Sequence, residues 1–270
     1  MSNRDWLKHA QALPEGVTRK IPHDCGPGDA LQINHKRDGW SAYCHRCKES
    51  YFERREPESL AEKLERLERM RDAERVVRDD PSLPLPMNVD PRTWPLDARV
   101  WLYKAGISNA EIESLGFYWN ERLQRVVMPV YDSLTGLPSY WQARALDKTN
   151  PRKYLNPRVD KARLIVRYGQ GNAIVLTEDM LSAYKVSRVG VAGWSILGTE
   201  LNDFTASEVI TACKPVYVWL DPDKAGQTAA AKIIRKLKAY GVRCTSVLSG
   251  RDPKLLSRPD IIGILNEHRI

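Results

Sequence analysis

From residue 171 to the end of the chain, short apolar runs alternate with longer segments in which apolar residues recur at helical spacing. The apolar runs span residues 173–176, 189–192, 215–220 and 242–248, and the helical segments span residues 179–187, 205–212 and 225–240. A strand that is buried on both faces of a parallel sheet reads as a continuous apolar run. The alternation therefore predicts an α/β fold, with a parallel sheet and flanking crossover helices.

The residues before this region show a different pattern. Two helices are predicted at residues 98–105 and 109–115, and Ser108 is a suitable N-cap for the second helix. Two strands are predicted at residues 125–131 and 139–146. Because turn-forming residues separate these two strands, we expect them to form an antiparallel hairpin.

A densely charged stretch runs from residue 53 to about residue 80. Its apolar residues follow the i, i+4, i+7 spacing of a narrow helical stripe, and they are Leu60, Leu64, Leu67 and Met70. Opposite charges one turn apart support a solvated helix. This helix is either a plain spacer or a docking surface for a partner or a second copy of the chain. Pro81, Pro84 and Pro86 end the helix and mark a domain boundary.

Three of the five cysteines, together with a nearby histidine, have the spacing of a metal site. Two residues separate Cys44 from Cys47, so both thiolates can bind one tetrahedral metal ion. Cys25 and His23 are the expected second pair of ligands, and His35 competes with His23 for the fourth position. The alternatives are a redox pair or a disulfide, but a thioredoxin-like pair follows a strand and opens a helix. The spacing therefore predicts Zn²⁺.

The zinc site and the hydrophobic patterns together suggest how the chain is organised. An amino-terminal unit of about 50 residues has a core too small to be stable without its metal. Within it, residues 31–35 and 40–43 predict the short antiparallel hairpin of a zinc ribbon. The predicted segments are a zinc-binding ribbon (1–52), a charged helical linker (53–86) and a main body (87–270), in which a basic subdomain (87–170) precedes the α/β region (171–270).

The formal net charge of +8 fits a polyanionic partner. Cations and aromatic rings are interleaved just before the first strand of the α/β region. The cations are Arg144, Lys148, Arg152, Lys153, Arg158, Lys161, Arg163 and Arg167, and the rings are Tyr140, Trp141, Tyr154 and Tyr168. Cations bind phosphates and rings stack on bases, so this segment predicts a groove for single-stranded nucleic acid. The alternative is that the rings are core residues, Trp141 and Tyr154 above all.

Nothing in the sequence indicates a membrane. No apolar run approaches the roughly 18–20 residues that are needed to cross a bilayer, and no amino-terminal leader is visible. We therefore expect a soluble, cytoplasmic protein with no membrane partner.

Carboxylates follow two of the predicted strands. Glu178 comes directly after the run at 173–176, and Asp221 and Asp223 come directly after the run at 215–220. In open α/β sheets the active site lies beyond the carboxyl ends of the strands, so we expect these side chains to converge there. Clustered carboxylates are hard oxygen ligands suited to Mg²⁺ or Mn²⁺. The alternative is that each acid merely caps the helix that follows it.

These acids resemble the marks of the Toprim domain, which is shared by bacterial-type primases, topoisomerases and some nucleases. Glu178 matches the family's glutamate, Asp221 and Asp223 match its Asp-x-Asp pair, and the segments Lys224-Ala225-Gly226 and Gly250-Arg251-Asp252-Pro253-Lys254 look like its continuation. One departure is visible, because the family usually reads Glu-Gly-x-x-Asp at the first site. Here an aspartate, Asp179, replaces the glycine and Ser182 replaces the second acid. The resemblance makes Asp179 a candidate for the missing metal ligand.

The order of the domains extends this resemblance. A zinc ribbon, a linker and a Toprim domain resemble the bacterial-type primases, most closely the primase half of podophage primase–helicases. In that family an arginine in a strand precedes Lys-Tyr-Leu-Asn, and here Arg144 precedes Lys153-Tyr154-Leu155-Asn156. The resemblance implies that Arg144 and Lys153 hold phosphates, that Lys153 is also catalytic, and that Trp141, Tyr154 and Asn156 contact DNA or nucleotide.

The resemblance implies a DNA primase that synthesises short RNA primers on single-stranded DNA from ribonucleoside triphosphates, by metal-assisted nucleotidyl transfer. The alternatives are a Toprim nuclease and an inactive primase-like module that binds single-stranded DNA. No Gly-x-x-x-x-Gly-Lys-Ser/Thr motif occurs, so we expect a separately encoded replicative helicase as partner. If the chain is encoded by a bacteriophage, its location is the host cytoplasm.

Overall fold

The computed structural model describes residues 5–36, 38–54, 59–147, 150 and 152–268. The chain divides into two units, of which the first comprises Met1–Arg75 with Asp147–Lys153 and the second comprises Val76–Leu146 with Tyr154–Ile270. The division falls at residue 75, whereas the sequence predicts domain boundaries after residues 52 and 86. Residues 76–86 therefore belong with the second unit.

The first unit contains a four-stranded antiparallel sheet in the order β1-β2-β3-β4. Its elements are α1 (Asp5–Gln11), β1 (Thr18–His23), β2 (Gly26–Lys36), β3 (Gly39–Cys44), β4 (Ser50–Arg54) and α2 (Leu60–Val76). The predicted hairpin is confirmed as β2 and β3. Strands β1 and β4 were not predicted, since each buries at most one side chain and so has no apolar pattern. Trp6 of α1 packs against Ile21, Leu31 and Ile33 in the small core of this unit.

The charged helix α2 is confirmed and extends to Val76. Leu64, Leu67 and Met70 of its apolar stripe are exposed. Both a spacer helix and a docking helix would have this exposure, so the two interpretations stay open.

None of the helices in the described part of the chain has the length and apolar character that spanning a membrane requires.

The second unit begins with two short helices and an antiparallel sheet in the order β5-β6-β7-β8. The elements are α3 (Leu96–Lys104), α4 (Asn109–Ser114), β5 (Tyr118–Asn120), β6 (Arg125–Tyr131), β7 (Pro138–Ala145) and β8 (Tyr154–Leu155). The hairpin of β6 and β7 was predicted. Ser108 caps α4 through a capping box with Glu111, as expected from its position.

The rest of the second unit is an α/β layer around a five-stranded sheet in the order β13-β12-β10-β11-β9. The elements are β9 (Val166–Tyr168), β10 (Ile174–Thr177), α5 (Met180–Ser187), β11 (Ala192–Ser195), α6 (Asp203–Ala212), β12 (Val216–Val218), α7 (Lys224–Ala239), β13 (Cys244–Ser246) and α8 (Arg258–Glu267). β10 to β13 are mutually parallel, and β9 joins as an antiparallel edge. Buried apolar clusters cover both faces of the sheet. The predicted α/β fold with an amino-terminal zinc-ribbon sheet is confirmed.

Strand β11 lies later in the chain than predicted, at Ala192–Ser195 instead of 189–192. The β-branched residues before it belong to the turn after α5, where Gly190 has a φ of +87°. Within the strand, a Cβ on Gly193 would lie 1.9 Å from the carbonyl oxygen of Ala183. Glycine at this position allows α5 to pack closely against the strand. Because glycine adds no apolar side chain to the pattern, the sequence does not predict the position of β11 correctly.

Candidate metal centres and active site

The predicted ligands of the first unit come together at one end of its sheet. His23 ends β1, Cys44 ends β3, and Cys25 and Cys47 lie in the turns that follow. Their ligand atoms all lie within 4.8 Å of one another. The Sγ atoms of Cys25 and Cys44 are 3.5 Å apart, and so are Cys47 Sγ and His23 Nδ1. Ligands of a tetrahedral zinc ion at about 2.0–2.3 Å lie roughly 3.3–3.8 Å apart, so the cluster fits Zn²⁺.

A tight turn brings Cys44 and Cys47 together. The amide of Cys44 donates to the carbonyl of Glu49 at 2.9 Å, and the amide of Lys48 donates to the carbonyl of Cys44 at 3.0 Å. Lys48 closes the turn with a φ of 65°. Burial raises the pKa of the Cys44 thiol, but hydrogen bonds from the backbone amides of Cys47 and Arg46, together with those from the Cys25 and Cys47 thiols, lower its pKa to about 6. The pKa of Cys47 is raised to about 11, so Cys44 is the first of the two to ionise. The thiolate of Cys44, which is the metal-binding form, is thereby favoured.

A second layer of contacts orients His23. Its Nε2 lies 3.4 Å from the Tyr51 hydroxyl and 3.6 Å from Glu49 Oε2. Tyr51 donates to the same carboxylate at 2.6 Å, and this hydrogen bond, followed by burial, raises the pKa of Tyr51 to about 12. A carboxylate on the outer nitrogen of a ligating histidine fixes the ring and makes it a better ligand. Nδ1 is therefore the nitrogen that faces the cysteines.

His35, the competing fourth ligand, lies elsewhere in the same sheet. Its Nδ1 is 2.6 Å from the carbonyl oxygen of Leu13, and its ring packs 5.4 Å from that of Trp40. It is buried and does not belong to the cysteine cluster. The structure therefore selects His23. The sequence could not make this choice, because it depends on how strands β1 and β2 pair.

The acidic residues of the second unit lie at the carboxyl ends of two adjacent strands. Glu178 directly follows β10, and Asp221 and Asp223 follow β12, which pairs with β10 in parallel. The carbonyl oxygen of Glu178 accepts hydrogen bonds from the amide of Gly198 at 3.0 Å and from Ser195 Oγ at 3.3 Å. Glu178 and Asp221 are half-buried, and Asp223 is exposed.

Electrostatics couple these acids. Burial, and then the charges of Asp221, Asp179 and Asp223, raise the pKa of Glu178. Burial likewise raises the pKa of Asp221, and Asp252 adds to the effect. Like charges held close together disfavour ionisation, and a bound cation relieves this repulsion. The donor set and its electrostatics both fit a divalent ion.

Asp223 also caps helix α7. Its Oδ1 accepts a hydrogen bond from the amide of Gly226 at 2.8 Å. A Cβ on Gly226 would lie 2.2 Å from the carbonyl oxygen of Asp221, so only glycine fits there. Asp223 therefore caps α7, as the capping alternative predicts, and it also belongs to the acidic cluster.

The side chain of Asp179 is already engaged by other donors. Its Oδ1 accepts hydrogen bonds from the amides of Leu181 and Ser182 at the start of α5. Its Oδ2 accepts from Ser182 Oγ at 2.7 Å and from Lys254 Nζ at 2.9 Å. A metal-binding role for Asp179 stays a prediction, and these contacts favour a capping and ion-pairing role instead.

The cluster also contains Lys254 and Asp252, two residues that the sequence did not assign to the site. Lys254 Nζ lies 2.7 Å from Asp252 Oδ2 as well as 2.9 Å from Asp179 Oδ2. The segment 250–254 resembles the continuation of the Toprim motif, but no local pattern indicates that Lys254 reaches the start of α5. Among the described residues, only the zinc ligands form a group of three or more possible metal ligands in mutual contact, so the carboxylates are more widely spaced.

The basic segment is only partly as expected. Trp141 is fully buried, and its indole nitrogen donates to the carbonyl of Ser82 at 3.1 Å. The expectation that it contacts nucleic acid is wrong, since its alternating position on β7 points into the core. Arg144, also on β7, donates to the Tyr154 hydroxyl at 2.7 Å, and its guanidinium lies 5.0 Å and 5.2 Å from the Trp101 and Tyr154 rings. These contacts hold Arg144 in one orientation.

The remaining residues that are predicted to contact substrate differ in their exposure and in the unit to which they belong. Lys153 is exposed and belongs to the first unit, whereas the half-buried Asn156 belongs to the second. The side-chain oxygen of Asn156 is buried without a hydrogen-bond partner in the described part of the chain. Lys148 lies outside the described residues. Roles for Arg144, Lys153, Tyr154 and Asn156 stay predictions.

Comparison with known proteins bears on the second unit most directly. Residues 177–254 match a family model described as Toprim-like. The chain contains a Toprim-like domain. The matched segment begins just before Glu178 and ends at Lys254, so it includes all the acids of the cluster.

A curated relative matches about half of the chain. The chain is 26% identical over 148 residues to the DNA primase of Mycoplasma pneumoniae (strain ATCC 29342 / M129 / Subtype 1), covering 48% of this chain and 24% of that protein. The chain thus spans about a quarter of the length of this curated relative.

Two solved structures share the fold. One is that of the DnaG catalytic core, with a TM-score of 0.53 and 19% identity over 67% of this chain and 76% of that chain. The other is the Aquifex aeolicus primase with its zinc-binding and RNA polymerase domains, with a TM-score of 0.51 and 16% identity over 93% of this chain and 79% of that chain. The expected primase-like architecture, a zinc-binding unit before a Toprim-like domain, is confirmed at the level of the fold.

Proposed function

We propose that this chain is a DNA primase that synthesises short RNA primers on single-stranded DNA. The observation that carries the proposal is the cluster of Glu178, Asp221 and Asp223 at the strand ends of a Toprim-like domain, in a chain that also holds a cysteine–histidine zinc site. The net charge of +8 supports a polyanionic template.

The reaction joins two ribonucleotides. The 3′ oxygen of one attacks the α-phosphorus of the other, the bond to the leaving pyrophosphate breaks, and the hydroxyl proton passes to a base or to water. A divalent ion, Mg²⁺ or Mn²⁺, would stabilise the negative charge that develops on the attacking and leaving oxygens. Glu178, Asp221 and Asp223 are the residues that would hold it.

The surroundings of Glu178 suit proton transfer as well as metal binding. A carboxylate oxygen of Glu178 that does not hold the ion would accept the proton of the attacking hydroxyl. The hydrogen bonds of its own carbonyl with Gly198 and Ser195 fix its backbone. Glu178→Gln keeps an oxygen ligand but removes the base. A larger loss of rate than of Mn²⁺ affinity in this variant would assign the base role to Glu178.

The basic segment would position the substrates. Arg144 is held by two rings and a hydroxyl, which suits a phosphate contact of fixed geometry. Lys153, Tyr154 and Asn156 follow it in the chain and are the proposed contacts to nucleotide and template. Arg144→Lys should weaken nucleotide binding, because a lysine cannot reproduce the planar guanidinium.

The zinc-binding unit is proposed to read the template. Bases are distinguished by side chains placed against their edges, whereas phosphate contacts carry no sequence information. A fragment that begins at Val76 should therefore join nucleotides without a template preference. An unchanged preference would mean that another region reads the template. A separately encoded replicative helicase is the proposed protein partner.

The test is to incubate the full chain with single-stranded templates, ribonucleoside triphosphates and Mg²⁺ or Mn²⁺. We expect short RNA products from the natural chain and a strongly reduced rate of their synthesis from Asp221→Asn. Degradation of the template would favour a nuclease. Binding of the template with no incorporation under any condition would favour an inactive DNA-binding module.

A further inference from the structure

Lys254 brings a positive charge into the acidic cluster from an unexpected part of the chain. It lies in a single turn of 3₁₀ helix, Pro253–Leu255. Its Nζ contacts carboxylate oxygens of Asp252 at 2.7 Å and of Asp179 at 2.9 Å. The side chains of Lys254, Asp179 and Asp252 are 21%, 24% and 26% exposed, so this is a largely desolvated pair of contacts.

The carboxylate of Asp179 and the backbone of Asp252 are themselves fixed. Asp179 is locked by the amides of Leu181 and Ser182 and by the Ser182 hydroxyl. The carbonyl of Asp252 accepts from the amide of Leu255 at 2.9 Å, which closes the turn. The ammonium group therefore has a defined position, unlike that of a surface lysine, whose ion pairs contribute little.

Lys254 also lies beside the proposed metal ligands. Asp179, whose carboxylate it contacts, directly follows Glu178 in the chain, and Asp252 is its second partner. The contacts with Asp179 and Asp252 raise the pKa of Lys254 despite its burial, so it stays charged at neutral pH. The cluster thus contains one fixed cation among its acids, Glu178, Asp179, Asp221, Asp223 and Asp252.

We propose that Lys254 is a positioning residue that acts as a built-in cation. Its ammonium group occupies the space between Asp179 and Asp252 that a second divalent ion would otherwise fill. The cluster then takes a single exchangeable divalent ion, at Glu178, Asp221 and Asp223. This inference rests on the proposed metal site, but it concerns how many ions bind rather than which reaction follows.

The experiment counts Mn²⁺ ions bound to the zinc-loaded full chain, by electron paramagnetic resonance of the free ion and by isothermal titration. We expect one Mn²⁺ for the natural chain and two for Lys254→Met, with the first ion bound roughly tenfold more tightly because a nearby positive charge is gone. Lys254→Gln is measured beside it as a second neutral variant, in case the methionine variant loses its far-ultraviolet dichroism.

Three variants serve as controls. Lys254→Arg keeps the charge and should bind one ion. Ser182→Ala removes a hydrogen bond to Asp179 without changing any charge, and it should also bind one. The double variant Lys254→Met with Asp179→Asn removes a ligand of the second ion while the N-cap is preserved, and its count should return to one.

An unchanged Mn²⁺ count and affinity in folded Lys254→Met would overturn the inference and leave Lys254 as a structural ion pair. The outcome is separate from that of primer synthesis. If the natural chain makes no primers but the Mn²⁺ counts change as expected, the proposed function fails and the role of Lys254 stands.

Discussion

The zinc cluster and the carboxylate cluster are two metal sites of opposite design. In the first, four ligand atoms already lie within 4.8 Å of one another, and a hydrogen-bonded turn and a second layer of contacts hold them. In the second, the acids are more widely spaced, and burial and mutual repulsion raise the pKa of Glu178 and Asp221. The four zinc ligands complete a tetrahedral set, although Cys25 and Cys47 are exposed, whereas the three proposed carboxylate ligands leave coordination positions unfilled.

The difference follows from what each metal does for its part of the molecule. A closed set of thiolates and one imidazole supplies folding free energy to a sheet whose core is small. An open set of carboxylates costs folding free energy without a cation, and it leaves coordination positions for a substrate. The first site should therefore resist exchange, and the second should exchange its ion readily.

The largest effect is expected at the zinc site. His23→Ala should lose zinc and unfold the sheet of the first unit, since structural zinc contributes on the order of 10 kcal/mol in small zinc domains. His35→Ala is the matched control and should retain zinc. Elemental analysis and near-ultraviolet dichroism measure the outcome. Retention of zinc by His23→Ala together with its loss from His35→Ala would contradict the ligand assignment.

The next effect concerns the carboxylates. Asp221→Asn should lower the rate of primer synthesis by roughly 10²–10³-fold or more, because it removes a charge that acts on the reacting oxygens. The same variant should melt at a higher temperature without divalent ions, since a repelled, half-buried charge is gone. Asp203→Asn, an exposed aspartate paired with Lys236, is the control and should change neither property. Full activity in Asp221→Asn would remove it from the site.

A smaller effect is expected where the second unit begins. The carbonyls of Ser82, Pro84 and Pro86 accept hydrogen bonds from the side chains of Trp141, Tyr118 and Asn120, at 3.1, 2.8 and 3.0 Å. A fragment that begins at Met87 leaves these buried donors without partners, which costs about 1–3 kcal/mol for each. Urea denaturation should find this fragment less stable than one that begins at Val76. Equal stability would favour the domain boundary predicted after residue 86.

The smallest effect is on pH dependence. Because burial raises the pKa of Glu178 and Asp221, the folded protein binds their protons more tightly than the unfolded chain does. Their contribution to the free energy of unfolding therefore falls as pH rises above the ordinary values of 4.5 and 3.8. The free energy of unfolding of Asp221→Asn, measured by urea denaturation relative to that of the natural chain, should rise between about pH 4 and pH 7. The rise should be on the order of 1 kcal/mol for each pH unit by which folding raises the pKa of Asp221. A difference that is independent of pH, or that persists in saturating Mg²⁺, would contradict this explanation.

Local pattern was enough to predict most of the elements that carry these sites. The strands β6, β10 and β12, the helices α5 and α7 and the hairpin of β2 and β3 were predicted close to their observed bounds, because burial on both faces or helical periodicity leaves a direct mark on the sequence. The predicted position of β11 was wrong because Gly193, which allows α5 to pack closely, adds no apolar side chain to the pattern. β1 and β4 were missed because they bury almost nothing.

The sequence by itself determined the chemistry that is available: three cysteines and two histidines as possible zinc ligands, and carboxylates at two strand ends. Only the tertiary structure decided which of these side chains meet. Strand pairing placed His23 rather than His35 beside the cysteines, and core packing took Trp141 away from solvent. In the folded chain Lys254 also contacts Asp179, which lies 75 residues earlier in the sequence. A local hydrophobic pattern depends only on whether the helix or strand that contains it is buried. These long-range contacts depend instead on how elements that are far apart in the chain pack together.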